Sequence, residues 1–255
     1  MSTQATPQAP AGPGVFRDRV ALITGADRGI GRALASRLGA QGCRLVLHSH
    51  DAEGLTKTVA DEGWADGQVL TAVHDVADSA AVEAAVAEAV ARFGKIDYLL
   101  NVAGVAHPGG VLTTSREIWD RTLATNLTGY FVTARTVLPY MKEAGDGFVV
   151  NMSSIWGRRT APPGAMLAYS VSKWGVEGLT RALAEEARPW GVRVSGIVLD
   201  KVDTSFRENM PGELSQEQRD RMLTAADVAD ATCALLGSSR RAHVSTVELD
   251  AWQWV

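Results

Sequence analysis

A tyrosine and a lysine stand four residues apart, at Tyr169 and Lys173. In a helix this spacing places both side chains on one face, on adjacent turns. A nearby ammonium stabilises a phenolate and lowers the pKa of the phenol, which is about 10 in a free tyrosine. Such a pair can deliver a proton to an oxygen atom, or remove one in the reverse reaction. The same spacing is also typical of two unrelated side chains on a surface helix.

A glycine-rich segment lies far before this pair in the chain. Residues 24–31 read Thr-Gly-Ala-Asp-Arg-Gly-Ile-Gly and follow the apolar run 20–23. Glycine permits a tight turn and a close approach of backbone to phosphate oxygens, and the free N–H groups of a following helix attract an anion. The spacing differs from the G-x-G-x-x-G dinucleotide pattern. The segment predicts a dinucleotide phosphate site, and a turn that serves only packing is the alternative.

The rest of the chain must position the Tyr169–Lys173 pair and the glycine-rich segment. Along it, apolar strands alternate with helices. The predicted strands are 20–23, 45–47, 69–73, 98–100, 148–150, 192–198 and 244–249, and the predicted helices are 28–41, 55–62, 79–93, 116–141, 169–188 and 227–236. Strands that are apolar throughout indicate a parallel sheet buried on both faces. Right-handed crossovers then give a doubly wound arrangement. We predict an α/β, Rossmann-like fold with a seven-stranded parallel sheet and helices on both faces.

Composition excludes several classes of partner. The formal net charge of −4 offers no basic patch for nucleic acid or for a membrane surface. Two cysteines, Cys43 and Cys233, each lie alone among apolar residues, which favours buried thiols over a disulfide or a metal site. The spacing of histidines and cysteines predicts no metal.

The first residues differ in composition from the rest. Residues 1–14 are rich in Pro, Gly and Gln and lack the basic start and apolar stretch of a signal peptide. We predict a disordered tail over 1–14 and one domain over 15–255. No apolar run is long enough to span a membrane, and we expect a cytoplasmic protein.

The chain resembles the short-chain dehydrogenase/reductase family over roughly residues 16–250. The family's T-G-x-x-x-G-x-G turn is matched by residues 24–31, and its Tyr-x-x-x-Lys pair by Tyr169 and Lys173. Its N-N-A-G segment is matched imperfectly by residues 101–104, and its adenine-contacting Asp before an apolar residue by residues 75–76. The resemblance implies hydride transfer between a nicotinamide cofactor and a carbonyl or alcohol.

The resemblance also implies catalytic roles. Tyr169 is the general acid in reduction and the general base in oxidation, and Lys173 tunes it and holds the nicotinamide ribose. Ser154 hydrogen-bonds the substrate carbonyl, and Asn126 holds a water in a proton relay linked to the lysine. The structural alternatives are a serine that only caps a turn and an asparagine exposed on a polar helix face.

The implied cofactor contacts come from several loops. They are Gly25, Asp27, Arg28, Gly29, Ile30, Gly31, Ser49, His50, Asp75, Val76, Asn101, Ala103, Gly104, Tyr169, Lys173, Val202 and Thr204. One departure stands near them, because Leu199 and Asp200 replace the family's usual Pro-Gly. The departure places a carboxylate beside the nicotinamide, unless Asp200 lies solvated on a displaced loop.

The choice of nicotinamide depends on the end of the second strand. An acidic residue there accepts from the ribose 2′-OH and repels a 2′-phosphate. By the family's register this position is Ser49, which is neutral, and His50 and Arg28 supply bases where the family binds the phosphate. These residues favour NADP(H) over NAD(H). Asp51 could serve NAD(H) if the strand runs longer, and His48 and His50 are predicted to lie on the surface.

Substrate contacts are expected from loops at the carboxyl ends of the strands. The expected regions are residues 107–111, residues 156–166 and a lid near 204–222. Arg158 and Arg159 could attract an acidic substrate, or be a solvated pair. The family commonly forms oligomers through the helices predicted at 116–141 and 169–188, so the expected partners are further copies of this chain, as a tetramer or dimer.

The C-terminal part is most similar to the family's aldehyde and ketone reductases. We therefore predict an NADP(H)-dependent carbonyl reductase that acts on a small-molecule carbonyl or alcohol. An NAD-dependent alcohol dehydrogenase is the alternative within enzymes. A non-redox protein that uses the dinucleotide site for sensing or scaffolding is the alternative outside them.

Overall fold

The computed structural model describes residues 14–206 and 212–252. Its strands are β1 Val20–Thr24, β2 Arg44–Ser49, β3 Val69–Val73, β4 Tyr98–Asn101, β5 Gly147–Ser154, β6 Val192–Leu199, β7 Val202–Asp203, β8 Leu223–Thr224 and β9 Thr246–Leu249. Seven of them form one parallel sheet in the order β3-β2-β1-β4-β5-β6-β9. The predicted seven-stranded parallel sheet is confirmed.

Helices cover both faces of this sheet. They are α1 Gly29–Gly39, α2 Ala52–Glu62, α3 Ser79–Phe93, α4 Arg116–Leu123, α5 Gly129–Ala144, α6 Leu167–Ala187, α7 Gln216–Asp220 and α8 Ala225–Leu236. Successive strand residues point to opposite faces, so Ala21 and Ile23 join the core under α1 and α8, whereas Val20 and Leu22 join the core under α3, α5 and α6. This two-sided burial explains why the strands are apolar throughout.

The strand order reverses at β1, and this reversal positions the site. β1 pairs with β2 on one side and with β4 on the other. The connections that leave β1 and β4 therefore run in opposite directions and open a crevice at the carboxyl ends of the two strands. The glycine turn follows β1, and residues 102–105 follow β4.

The predicted helix 116–141 is wrong as one continuous element. The structure divides it into α4, a π-helical turn over Ala124–Thr128, and α5. Asn126 lies in that turn and its side chain hydrogen-bonds outside the helix. Turns of this kind are frequent at functional sites.

Two predicted segments, the tail and the lid, lie partly outside the described residues. Residues 1–13 of the predicted tail and residues 207–211 of the predicted lid lie outside the described residues, so the tail and the lid stay predictions. A small parallel pair, β7 with β8, was not predicted, and it joins the two ends of the lid region. In 14–206 and 212–252, no helix has both the length and the apolar character that crossing a membrane requires.

Candidate active site

A cavity opens at the carboxyl ends of β1, β2, β4, β5 and β6. Residues from each of the predicted motifs line it, and they fall into four groups. The lining residues from the glycine turn and the end of β2 are Gly25, Asp27, Arg28, Gly29, Ile30, Gly31, His48, Ser49 and His50. Those after β3 and β4 are His74, Asp75, Val76, Val102, Ala103, Gly104 and Val105. Those from the end of β5 and from α6 are Met152, Ser153, Ser154, Tyr169 and Lys173. The last group is Arg121 and Thr125 before α5, and Leu199, Asp200, Val202, Thr204, Ser205 and Phe206 from the end of β6 onward.

The glycine turn is built for close backbone contact. Gly25 and Gly29 have φ angles of +67° and +54°, a region that side chains other than glycine rarely adopt. A Cβ at Gly31 would collide with the carbonyl oxygen of Gly25. The first turn of α1 receives no side-chain cap from Arg28. Its backbone N–H groups are thus available to an anion, as a dinucleotide phosphate requires.

Thr24 connects this turn to the segment that follows β4. Its hydroxyl oxygen accepts hydrogen bonds from the amides of Val102 at 2.9 Å and Ala103 at 3.0 Å. A Cβ at Gly25 would lie 3.0 Å from the Cα of Ala103. The two walls of the crevice are therefore fixed to each other at the switch point of the sheet.

At the end of β2 the structure places the predicted cofactor contact Asp27 beside Ser49, a pairing that the sequence did not indicate. Asp27 is 8% exposed, and its Oδ1 accepts a hydrogen bond from the Ser49 hydroxyl at 2.5 Å. The Arg28 guanidinium lies 3.4 Å from its other oxygen and is largely exposed. Asp51, the earlier candidate for this position, instead caps α2 by accepting from the Gly54 amide.

The prediction that His48 lies on the surface is wrong. His48 is 5% exposed and its ring lies 4.3 Å from that of His74, while its Nε2 is 2.9 Å from the His74 carbonyl oxygen. Burial lowers the pKa of His48 to about 4. Its Nδ1 and the Nε2 of His74 are buried without a hydrogen-bond partner in the described structure. His50, by contrast, is exposed at the cavity edge.

The catalytic pair stands where β5 meets α6. Tyr169 is 8% exposed. Burial raises the pKa of Tyr169 to about 12, and its hydrogen bond with Ser154 partly opposes that rise. Ser154 also accepts from the Trp156 amide at 3.3 Å, so it caps a turn as well as facing the tyrosine. In the chain alone the phenol is therefore held in its protonated form, the form that can donate to a carbonyl oxygen.

Within the described residues, Lys173 hydrogen-bonds to the backbone of β5 and not to the Tyr169 hydroxyl. Its ammonium donates to the Met152 carbonyl at 2.7 Å and lies 5.7 Å from the centre of the Tyr169 ring and 5.2 Å from that of Tyr130. Burial lowers the pKa of Lys173 to about 7, and the charge of Glu177 opposes this. In the chain alone the pKa of Tyr169 is therefore raised and not lowered as predicted, because burial dominates.

Asn126 is fully buried, so the alternative of an exposed polar face is wrong. Its Oδ1 accepts from the Val105 amide at 2.8 Å, and its Nδ2 donates to the Val105 carbonyl at 2.9 Å and to the Ser172 hydroxyl at 3.0 Å. Asn126 does not line the cavity. It fixes the segment after β4 against α6, one residue before Lys173.

Asn101 is the one predicted cofactor contact that the structure places outside the cavity lining. Its side chain donates to Asn151 at 2.9 Å and accepts from Thr133 at 2.7 Å, all three fully or nearly fully buried. These bonds connect β4, β5 and α5. The residue supports the wall behind the site.

The segment after β6 closes the substrate side. Thr204 packs near Gly29, since a Cβ at that glycine would lie 3.5 Å from its methyl group. Phe206 places its ring 5.7 Å from the Tyr169 ring. Asp200 lies 3.3 Å from the Lys201 ammonium. Phe206 is a site residue that sequence reasoning missed, because only its position within a broad lid segment marked it.

Comparison with known proteins decides the family. A model described as short chain dehydrogenase matches residues 19–215. The chain belongs to this family. Levodione reductase of Leifsonia aquatica is 40% identical over 207 residues, which cover 79% of this chain and 76% of that protein.

Solved structures share this fold over more than nine-tenths of the chain. A metagenomic short-chain oxidoreductase in complex with NADP is 33% identical with a TM-score of 0.78, and covers 92% of this chain and 98% of its own. The 3-ketoacyl-(acyl-carrier-protein) reductase from Brucella melitensis complexed with NADH is 28% identical with a TM-score of 0.83, and covers 94% and 100%. This short-chain dehydrogenase is an oxidoreductase that acts with NAD(P)(H) on a small-molecule carbonyl or alcohol.

Proposed function

We propose that the chain is a carbonyl reductase in which Tyr169 protonates the carbonyl oxygen of a small molecule. The observation that carries this proposal is that Tyr169, Ser154 and the uncapped glycine turn open into one cavity. The glycine turn and the start of α1 would hold the dinucleotide phosphates, because the first turn of α1 has no side-chain cap and Gly31 lets the turn pack tightly on Gly25. When bound, the nicotinamide supplies the hydride.

Side chains of the protein would stabilise the negative charge that develops on the substrate oxygen. Ser154 would donate a hydrogen bond to that oxygen, and Tyr169 would give it a proton in the same step. Lys173 supplies a positive charge that stabilises the phenolate left behind. Asn126, whose side-chain amide is fully committed to Val105 and Ser172, keeps the neighbourhood of Lys173 rigid. In alcohol oxidation the same atoms work in reverse.

NADP(H) is the cofactor that we propose. Ser49 is neutral, and its hydroxyl is already committed to Asp27. Arg28 is largely exposed beside the cavity and His50 lies at the same edge, so both are available to a 2′-phosphate. The metagenomic relative bound to NADP supports this choice by similarity.

NAD(H) is the second candidate, and one observation favours it. The Asp27 carboxylate lies at the cavity wall next to Ser49, where it could accept from a ribose 2′-OH and repel a phosphate. The Brucella relative complexed with NADH is consistent with this. Dissociation constants for both reduced cofactors, measured on the same protein, separate the two candidates.

We also propose that the chain self-associates through α5 and α6. Phe131 on α5 and Val171 and Trp174 on α6 are large apolar side chains with exposures of 48%, 39% and 54%. Sedimentation velocity of the wild type and of Trp174→Glu tests this. A dimer or tetramer that the variant weakens supports the interface, and a wild-type monomer overturns it.

A panel of carbonyl compounds, assayed with NADPH and with NADH, tests the proposed reaction. Loss of the absorbance of the reduced cofactor that depends on a carbonyl supports the reductase. Turnover only with alcohols and NAD⁺ instead supports the dehydrogenase. Tight cofactor binding with no turnover on any member of the panel favours the non-redox alternative.

A further inference from the structure

A buried carboxylate lies one helical turn beyond Lys173. Glu177 on α6 is 6% exposed and does not line the cavity. A glutamate is rarely buried to this extent unless it is paired, because removing the charge from water is costly. The spacing of four residues places it on the same helix face as Lys173.

The partner that holds Glu177 comes from the turn after the catalytic serines. The Arg158 Nε donates to the Glu177 Oε2 at 3.0 Å, and its Nη1 donates to Glu248 on β9 at 3.1 Å. Arg181 approaches Glu177 more loosely, at 3.7 Å, from an exposed position. Arg158 is therefore engaged by two carboxylates, which leaves it poorly placed to bind an acidic substrate.

The backbone around these side chains is packed closely. A Cβ on Gly157 would lie 2.8 Å from the backbone oxygen of Lys173, so only glycine lets the turn rest on α6 at this point. Arg158 follows directly and reaches Glu177. On the opposite side, Glu177 lies over Gly196 of β6, where an added Cβ would be 3.8 Å from its Oε1.

We propose that Glu177 is a positioning residue that sets the charge state of Lys173, and that Arg158 limits its effect by pairing with it. The proposal rests on the proposed function, in which the Lys173 ammonium stabilises the Tyr169 phenolate. Neither Glu177 nor Arg158 needs to touch cofactor or substrate to act in this way.

The charges that face each group determine the expected direction. Lys173 lies near the Tyr169 ring of its own helix and the Tyr130 ring of α5 and donates to the Met152 carbonyl of β5, and Glu177 follows one helical turn later. Of these groups, only Glu177 carries a negative charge at neutral pH. It opposes the burial that lowers the Lys173 pKa to about 7.

Glu177 in turn faces Arg158 from the turn after β5 and Arg181 on α6, with Glu248 of β9 behind Arg158. Removing the Glu177 charge should lower the pKa of Lys173 further. Removing the Arg158 charge should raise it, because Glu177 then acts uncompensated. A purely structural role would not give opposite signs.

The first test titrates Lys173 directly in the cofactor-free protein. Lysine-selective isotope labelling and NMR report its side-chain resonance, assigned by its loss in Lys173→Arg. Relative to wild type, Glu177→Gln should move the midpoint down by about one pH unit, and Arg158→Gln should move it up. Glu186→Gln, an exposed glutamate on the same helix, is the matched control and should not move it.

The second test follows the high-pH limb of carbonyl reduction. The limb should move to lower pH in Glu177→Gln and to higher pH in Arg158→Gln, whichever member of the Tyr169–Lys173 pair titrates. If Glu177→Gln does not fold, the Arg158→Gln variant alone tests the inference, and the lack of an upward shift in that variant overturns it. If the wild type is active and neither variant shifts the titration, the inference is overturned. If the wild type reduces no carbonyl, the proposed function is overturned.

Discussion

The two ends of the cavity are constructed differently. At the catalytic end, Tyr169 and Lys173 are nearly fully buried and held by bonds to backbone and neighbouring side chains. At the ribose end, Asp27 is buried but Arg28 and His50 are exposed. Buried groups have fixed geometry and shifted pKa values, whereas exposed charges act through weak, screened interactions. The chemistry should therefore depend on single atoms at one end, and cofactor choice on a balance of charges at the other.

Removal of one oxygen at the catalytic end gives the largest expected effect. Tyr169→Phe should lower turnover by about 10²–10⁴-fold, because the proton donor is lost. Cofactor affinity should change little, since the ring and its packing remain. Stopped-flow turnover and fluorescence titration of the cofactor measure the two quantities. Tyr140→Phe, a partly buried tyrosine on α5 outside the cavity lining, is the control; equal losses in both variants would contradict the assignment.

A methyl group in the glycine turn should abolish cofactor binding while leaving the catalytic end unchanged. Gly31→Ala drives a Cβ into the Gly25 carbonyl and must displace the turn. Gly178→Ala on α6 is the matched control, because a Cβ there meets nothing within 4 Å. The control should keep its affinity for the cofactor. Isothermal titration calorimetry that gives Gly31→Ala wild-type affinity would refute the phosphate-site assignment.

A change of charge at the ribose end should have a smaller effect. Asp27→Asn keeps an acceptor for the Ser49 hydroxyl but removes the negative charge, so NADP(H) should bind about tenfold more tightly, roughly 1.4 kcal/mol. NAD(H) affinity should stay level or fall. Asp51→Asn, which retains a helix cap outside the cavity, is the comparison variant. If only the Asp51 variant alters the ratio of the two affinities, the role assigned to Asp27 is wrong.

The buried histidine behind the ribose end predicts a pH dependence of stability. Burial lowers the pKa of His48 from an ordinary 6.5 to about 4. Between these values the unfolded chain binds more protons than the folded chain. The free energy of unfolding should therefore fall as pH falls from 6.5 towards 4, by up to about 1.4 kcal/mol per pH unit. Urea denaturation of His48→Gln should show a flatter dependence, and exposed His50→Gln should follow the wild type; identical slopes in all three would exclude this origin.

The sequence predicted the sheet well because its signals are local. Fully apolar runs such as 20–23 require burial on both faces, and the glycine turn follows the first of them directly. The Tyr169–Lys173 spacing is also a local signal, because a helix places residues four apart on one face. The break at Asn126 was missed although Thr125, Asn126, Thr128 and Gly129 are weak helix formers, because low propensity alone does not specify a π-helical turn and the bonds to Val105 and Ser172 that accompany it are long-range.

Contacts between side chains that are distant in the sequence could not be predicted from it. Nothing in the spacing of Asp27 and Ser49, or of Arg158 and Glu177, states that these side chains meet. His48 was assigned to the surface, and only the contact with His74, which follows the neighbouring strand β3, shows why it is buried. Charge pairs and orphaned polar atoms emerge only from the fold, and they are the features that bear on cofactor choice and pH response.

A crystal structure of the chain with NADP⁺ and a slowly reacting alcohol tests the central claim most directly. The account predicts the phosphates at the glycine turn, and the substrate oxygen within hydrogen-bond distance of both Tyr169 and Ser154. A substrate oxygen bound away from the Tyr169 hydroxyl, with the phosphates still at the glycine turn, would contradict it.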